Sequence, residues 1–359
     1  MAGGSKQWLG DGTRAVSNRD INPSGELAHA HPELACLIHN KKISQVFAHY
    51  ESLALGWKRF YTLFGRLSLI AVLLAMMSFD YQITLKGLYG SPAVLANIAA
   101  VFAATGLVSQ ALLGFTHAKD RWLSARFAAE RLRCFKFQLF SAIEEVSNAH
   151  ELSARVAQRT SEGLAALQQE MMGGRSAIVE FSPFDVLSPA GARTRHVNEA
   201  LLASAVPLYE ALRFSVQAQH FEEQFRAHDQ DTKFPSLVSE FSFMAGAVLA
   251  CIGILTALLP PGTPLFRLFT EHGISEWLDF LTWMLFVISA VVAIYERGSS
   301  HQQNAERYVT YGREIRRIRG GAAAHMPASF FQAVHEMEHL MLREIQDFCR
   351  DVKHSNYIF

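Results

Sequence analysis

Residues 335–339 read His-Glu-Met-Glu-His, a match to the H-E-x-x-H pattern with which zinc peptidases hold their metal from one helix. On a helix His335 and His339 stand one turn apart on one face, two imidazole ligands with Glu336 beside them as a general base. A catalytic zinc also needs a third protein ligand. The extended pattern that supplies one is broken, because Leu342 stands where it needs a glycine and Ile345 where it needs a histidine. Glu344, Asp347, Asp351 and His354 are downstream donors, but Glu344 is too close in the same helix to close a tetrahedral site easily. The competing reading is an amphipathic packing helix. Phe330, Val334, Met337, Leu340, Met341, Ile345 and Phe348 recur at helical spacing and leave His335, Glu336, His339, Arg343 and Asp347 for the polar side. We find no phosphate-cradling P-loop, no nucleophile elbow and no dinucleotide-binding glycine pattern, so the expectation is a protein that is not an enzyme, with no cofactor and no bound metal.

A second set of residues suits phosphate. The stretch YGREIRRIRGG sets Arg313, Arg316, Arg317 and Arg319 on and around one helix, and guanidinium groups pair with phosphate through two parallel hydrogen bonds. They are the candidate contacts for a nucleotide or oligonucleotide; Arg126, Arg131, Arg133 and Lys136 form a corresponding basic run earlier in the chain. Either run would equally suit anionic lipid headgroups. A third set consists of polar residues inside apolar stretches. Asn97, Thr105 and Ser109 fall on one side of a helix, as do Asp279, Thr282 and Ser289, and such stripes either line water or bond a neighbouring helix. Small residues at Ala93, Ala96, Ala100, Ala103, Ala104 and Gly106 equally favour close helix packing.

The elements that position these residues follow from hydropathy. Half of the 359 residues are hydrophobic and 18% are charged, with Lys plus Arg equal to Asp plus Glu at 33, so net charge points to no partner and composition points to a membrane. Crossing about 30 Å of hydrocarbon takes roughly 20 helical residues. Four stretches qualify: 67–85, 92–115, 241–260 and 277–295, in two hairpins. Lys58, Arg59, Arg66, Lys119, Arg121 and Arg297 crowd their outer flanks and only Lys86 and Arg267 sit at the tips, which places both termini and the middle region in the cytoplasm by the positive-inside tendency. The outer side then carries Asp80, Glu271, Glu276 and Asp279, an acidic bias that would attract cations if repeated around an oligomer. Cys36, Cys134, Cys251 and Cys349 are scattered with no paired spacing, as expected of reduced thiols. Residues 1–35, rich in Gly, Ser, Asn and Pro and without a signal-peptide apolar core, are expected to be a flexible lead-in.

The chain also repeats itself. His49-Tyr50-Glu51, a hairpin and Ala129-Glu130-Arg131 match His220-Phe221-Glu222, a hairpin and Ala305-Glu306-Arg307. This divides the chain into a first unit at 36–145, a helix and linker at 146–194, and a second unit at 195–359. The second unit, with LYEALRFSVQAQHFEEQ, two apolar helices, AERYVTYGREI and the closing SFFQAVHEMEHLMLREIQDF, resembles the SLATT group of bacterial two-membrane-helix effectors. The first unit resembles a diverged copy, whereas the group carries a single hairpin.

That resemblance implies a pore-forming effector of antiphage defence in the bacterial inner membrane. It would be homo-oligomeric, gated by a nucleotide or oligonucleotide from a neighbouring nucleotidyltransferase, and would depolarise the cell and arrest growth. The fold class expected is an all-α membrane protein with four transmembrane helices in two repeated hairpins and a helical cytoplasmic region. The alternatives are a membrane-anchored zinc metallopeptidase using His335, Glu336 and His339, and a non-conducting scaffold.

Overall fold

A computed structural model describes residues 18–354 except 19, 24, 85–92, 173–197, 261–262, 265–268, 270–272, 300 and 323–326. The described chain is all-α, with no strand. In order, it forms α1 (Gly25–Ala30), a 3-10 turn (Pro32–Leu34), α2 (Ala35–Ile38), α3 (Lys41–Thr84), α4 (Ala93–Thr116) and α5 (Ala118–Gln138). A 3-10 segment (Leu139–Glu145) leads to α6 (Ala149–Met172). Then come α7 (Glu199–Tyr209), a π-helical turn (Glu210–Phe214), α8 (Ser215–Ala257), α9 (Ile274–Ser299), α10 (His301–Ala322) and α11 (Pro327–His354).

The starts of these helices are written in their side chains. Asn40 accepts from the Ile43 N–H at 3.2 Å, Asn148 from the Glu151 N–H at 2.9 Å and Asn198 from the Leu201 N–H at 3.0 Å, so α3, α6 and α7 each begin on an asparagine cap. Asn198 also donates 2.6 Å to the Ser147 carbonyl, which ties the start of α7 to the start of α6. Between α4 and α5 the helix is interrupted at His117, whose φ of 49° is left-handed and unusual for a residue with a Cβ. The two halves echo one another. A 44-residue α3, a 24-residue α4 and a 21-residue α5 are followed by a 43-residue α8, a 26-residue α9 and a 22-residue α10.

Four helices are long and apolar enough to cross a membrane. They lie in α3, α4, α8 and α9 and overlap the stretches expected at 67–85, 92–115, 241–260 and 277–295. α8 runs on through Pro235, which removes one backbone donor but does not end the helix. Residues 85–92, at the tip of the first hairpin, and most of the second tip lie outside the described residues, as do the Lys86, Arg267 and Glu271 named there.

Two compact units emerge, and they cut across the sequence repeat, since each half contributes to both. One, the hairpin unit, comprises 57–119 and 227–303 together with the chain end. Its apolar windows are only 6–17% buried, and Phe115, Phe241, Met244 and Leu258 face outward. The helices meet through small and hydroxyl residues. Ser68 Oγ donates to the Gly106 carbonyl at 3.3 Å and accepts from Gln110 at 2.9 Å, while Ser239 and Ser289 exchange hydrogen bonds of 3.0 and 3.2 Å with each other's carbonyls.

The other, the packed unit, comprises residues up to 56, 120–226 and 304–353. Its core gathers Leu37, Phe47, Phe135, Phe137, Phe140, Tyr209, Phe214, Ile315, Phe330 and Met337. The expected loose lead-in is not loose at its described end: Asp20, Ile21 and Leu34 are all fully buried. Phe137, Phe140, Phe214 and Phe330 surround Tyr209, with ring centroids 5.3–5.9 Å from its own. Gly163 of α6 lets Phe135 approach so closely that an added Cβ would come 2.2 Å from its Cζ, and that ring is itself buried. Alanine normally gains about 1 kcal/mol over glycine in a helix interior. Here overpacking, at about 1–3 kcal/mol, opposes that gain. We expect Gly163→Ala to lower the melting temperature of the purified protein, followed by tryptophan fluorescence, and an unchanged or raised value would mean that the Phe135 ring yields freely.

Candidate functional site

The densest chemistry lies in the packed unit, centred on Arg213. This guanidinium is fully buried. Its Nε donates to Glu338 Oε1 at 2.8 Å and its Nη2 to Glu338 Oε2 at 2.6 Å, a bidentate pair, and Tyr209 Oη donates to the same carboxylate at 2.7 Å. The Phe137 ring lies 4.7 Å from its Cζ. Arg213 sits in the π-helical turn, a local widening of the helix often found at functional positions.

The Asp20 carboxylate, also fully buried, faces Arg213 at 3.5 Å, Arg133 Nε at 3.4 Å and Gln217 at 3.4 Å. Lys136 points its ammonium at the carbonyls of Asp20 and Ile21, 2.8 Å from each, and Arg133 donates to Asn18 at 2.6 Å. Burial lowers the Lys136 pKa to about 8, with Asp20 pulling the other way. Cys134 is kept as a thiol by burial, first of all, and by the nearby Glu338.

Two further arginines extend the network. Arg126 bridges Glu51 at 3.2 Å and Glu130 at 2.7 Å, and Glu130 also holds Arg133 at 3.1 Å. Although burial works the other way, Arg126, Arg133 and Arg213 take Glu130 down to about 2. Arg307 faces Glu344 at 3.4 Å and Asp351 at 3.5 Å across the Phe348 ring, and Tyr311 donates to Asp347 at 2.6 Å. The repeated tripeptides therefore do different work: Glu51 is 12% exposed and paired to Arg126, whereas Glu222 is 63% exposed and paired to Arg226 four residues on.

The H-E-x-x-H residues lie on the outer face of α11. His335 and His339 have ring centroids 6.4 Å apart, and with Glu336, Arg343, Glu314 and Arg317 they line an open cleft of about 370 Å³. Among the described residues no three His, Cys, Asp or Glu side chains converge to hold a metal. Of the carboxylates considered as third ligands, Glu344 and Asp351 face Arg307, while Asp347 serves Tyr311 and Arg350.

Of the arginines expected to hold phosphate, Arg317 is paired with Glu314 at 2.8 Å and Glu336 at 3.5 Å, and Arg319 with Glu210 at 2.5 Å. Arg313 and Arg316 are exposed, with no ion pair among the described residues. The expected basic counterpart, Arg126, Arg131, Arg133 and Lys136, is a mostly buried row. In the hairpin unit Asn97 is exposed, Thr105 bonds back to the Val101 carbonyl at 2.8 Å, and Ser109 and Thr282 are buried. Ser289 is spent on Ser239. Asp279 is exposed and within electrostatic reach of Asp80 from the other hairpin, next to the edge-to-face contact of Tyr81 with Phe280.

Sequence reasoning missed Asp20, Arg213 and Glu338. Glu338 lies inside the H-E-x-x-H motif itself, at one of its unspecified positions. The available signal was its phase, because it falls between the buried Val334, Met337 and Met341 of α11. Compared with protein-family models, curated proteins and solved structures, the chain matches none.

Glu344 makes the network sensitive to pH. Burial raises its pKa to about 7; Arg307 and Arg126 oppose this, while Glu130 and Asp347 reinforce it. A carboxyl whose folded pKa lies above its unfolded value near 4.3 contributes stability that is complete below that value and is lost as pH rises through 7. The contribution is on the order of 3–4 kcal/mol. Glu344→Gln keeps the neutral form at every pH. Denaturant titrations at pH 5 and pH 8 should therefore show the variant gaining on the unmodified protein as pH rises, and an identical pH dependence for the two proteins would rule out protonation at Glu344.

Proposed function

We propose that this chain is a multi-pass protein of the bacterial inner membrane, with both termini cytoplasmic, whose hairpins assemble in a homo-oligomer into a gated cation pore that depolarises the cell in antiphage defence. The observation that carries the reading is that Asp80 and Asp279, from separate hairpins, each adjoin a residue of the Tyr81–Phe280 edge-to-face contact, 6.1 Å between centroids, in helices whose apolar faces are uncovered. Carboxylates near the ends of membrane-crossing helices are tolerable where water reaches them, and repeated around an oligomer they concentrate cations. The outward Phe115, Phe241 and Leu258 suit lipid or a second copy of the chain.

In this reading Asn97 is the polar residue of its stripe best suited to face water, while Ser109, Thr282 and Ser289 serve helix packing. A nucleotide or oligonucleotide signal, supplied by a partner nucleotidyltransferase, contacts α10 through Arg313 and Arg316, the two arginines of the cluster with no competing carboxylate among the described residues. The chain is then not an enzyme, and His335 and His339 belong to a packing helix whose neighbouring carboxylates are committed to arginine.

The test is cation flux through purified protein in liposomes. Asp279→Asn removes the charge at nearly constant size and should lower flux several-fold, and Asp279→Lys should lower it further or turn selectivity towards anions. Arg316→Ala should change the response to the signal and leave open-pore selectivity unchanged. Folded oligomer that conducts in no condition would overturn the pore and favour a scaffold, and conduction indifferent to Asp279 would move the path to another helix.

A further inference from the structure

The pocket around Asp20 is built for an anion, and the anion in it is the chain's own. Arg133 and Lys136 from α5 and Arg213 from the π-helical turn point inward at a short turn, Asn18–Ile21, that reaches them from the beginning of the chain. Two of these cations have other carboxylates: Arg133 has Glu130, and Arg213 has Glu338. Among the described residues Lys136 has none within an ion-pair distance. Its ammonium is held by two backbone carbonyls, and the nearest balancing charge is Asp20. Burying an ammonium is costly unless an anion accompanies it, so the pocket cannot stand empty.

Yet Asp20 fills it poorly. Its closest charged contacts are 3.4 and 3.5 Å, whereas charge-assisted hydrogen bonds settle near 2.7–2.9 Å. Oδ1 of Asp20 is buried with no hydrogen bond, and Arg133 Nε lies beside Oδ2 without a bonding alignment. One carboxylate oxygen, Oδ2, faces what the other partners leave over, namely Arg213 Nη1, Arg133 Nε and the Gln217 amide, and the same carboxylate balances the Lys136 ammonium. A phosphoryl group, with three oxygens and a charge near −2, has the number of acceptors that this donor set calls for. The turn that carries Asp20 belongs to no helix, with Asn18 half-buried and Asn22 exposed on either side of it, so the carboxylate leaves together with the buried Ile21 but without unwinding a helix.

The geometry points to Arg133, Lys136 and Arg213 as a phosphate-binding pocket that the Asn18–Ile21 turn occupies in the absence of ligand, the Asp20 carboxylate standing where a phosphoryl group binds. This pocket is distinct from the exposed arginines of α10, and it stands whether or not the hairpins conduct. Ligand and turn compete for the same cations, so binding releases the start of the chain, a change of state that a buried ion pair of purely structural use would not provide.

The experiment uses the full chain in detergent and inorganic pyrophosphate as the probe, read by calorimetry and by thermal melting. Asp20→Ala and the near-isosteric Asp20→Asn remove the competitor. Each should bind pyrophosphate at least tenfold more tightly than the unmodified protein, and Lys136→Met added to either should cancel that gain. In the unmodified protein, millimolar pyrophosphate should raise amide hydrogen exchange at residues 20–22. If the Asp20 variants are recovered unfolded, pyrophosphate should restore their cooperative melting by replacing the missing anion. The proposal is overturned if the folded variants bind no tighter than the unmodified protein, if unfolded ones are not restored, or if the gain survives Lys136→Met and disappears instead with Arg313→Ala and Arg316→Ala, which would assign the anion to α10. Loss of ion flux alone would leave these readouts untouched, so the pocket and the pore fail separately.

Discussion

The packed unit is organised around one constraint, that the Arg213 guanidinium is shut away from water. An arginine cannot shed its charge on burial as a lysine or carboxyl can, so the surrounding chain must supply anions and hydrogen-bond acceptors in a fixed geometry. Glu338 supplies the fork, 125 residues away, and Asp20 approaches from the opposite direction in sequence, 193 residues away. Tyr209, one turn before Arg213, both completes the Glu338 carboxylate and anchors the aromatic cluster of Phe137, Phe140, Phe214 and Phe330. The beginning of the chain, α5, the π-helical turn and α11 therefore meet where they do because any other arrangement leaves a buried charge uncompensated, a penalty of several kcal/mol. Apolar packing alone would tolerate many registers of α11 against the core. The bidentate pair selects one.

The hairpin unit obeys different physics. Within hydrocarbon there is no hydrophobic gain in bringing two helices together, so association depends on close approach and on hydrogen bonds between helices. Gly106 lets Val72 come within 3.3 Å of where a Cβ would be, and Gly246 does the same for Phe286 at 3.3 Å. Ser68 and the Ser239 and Ser289 pair supply the bonds. Such contacts hold pairs of helices while leaving most of the apolar surface uncovered, which a protein surrounded by water would not tolerate.

This contrast explains what could be read from the sequence. Hydropathy is a local property, so the four apolar helices were legible from composition and length alone. The amphipathic phase of α11 was legible for the same reason: Phe330, Val334, Met337, Leu340, Met341 and Ile345 are all buried. The charged centre was not, because a buried charge is recognisable only through its partner, and no spacing rule connects Asp20, Arg213 and Glu338. The H-E-x-x-H match drew attention to Glu336, on the surface, and away from Glu338, two residues on and 1% exposed. Likewise the basic run of α5 reads as a surface patch until its carboxylates arrive from α3 and from the start of the chain.

The same partners show why the two halves of the repeat are not interchangeable. In the first half the buried arginines of α5 find carboxylates nearby, Glu130 on α5 itself and Glu51 on α3. In the second half the residue matching Glu51 is Glu222, which is on the surface and engaged with Arg226, and it gives Arg307 no carboxylate. Arg307 is served instead from α11, where Glu344, Asp347 and Asp351 recur at three and four residues and so share one face. With Glu338 meeting Arg213, α11 becomes the counter-ion carrier for the second half. In the register of the matching tripeptides Arg126, Arg133 and Lys136 fall on Gln302, Val309 and Gly312, so of that basic row only the position of Arg131 stays cationic, as Arg307, and the carboxylates of α11 meet that one buried charge.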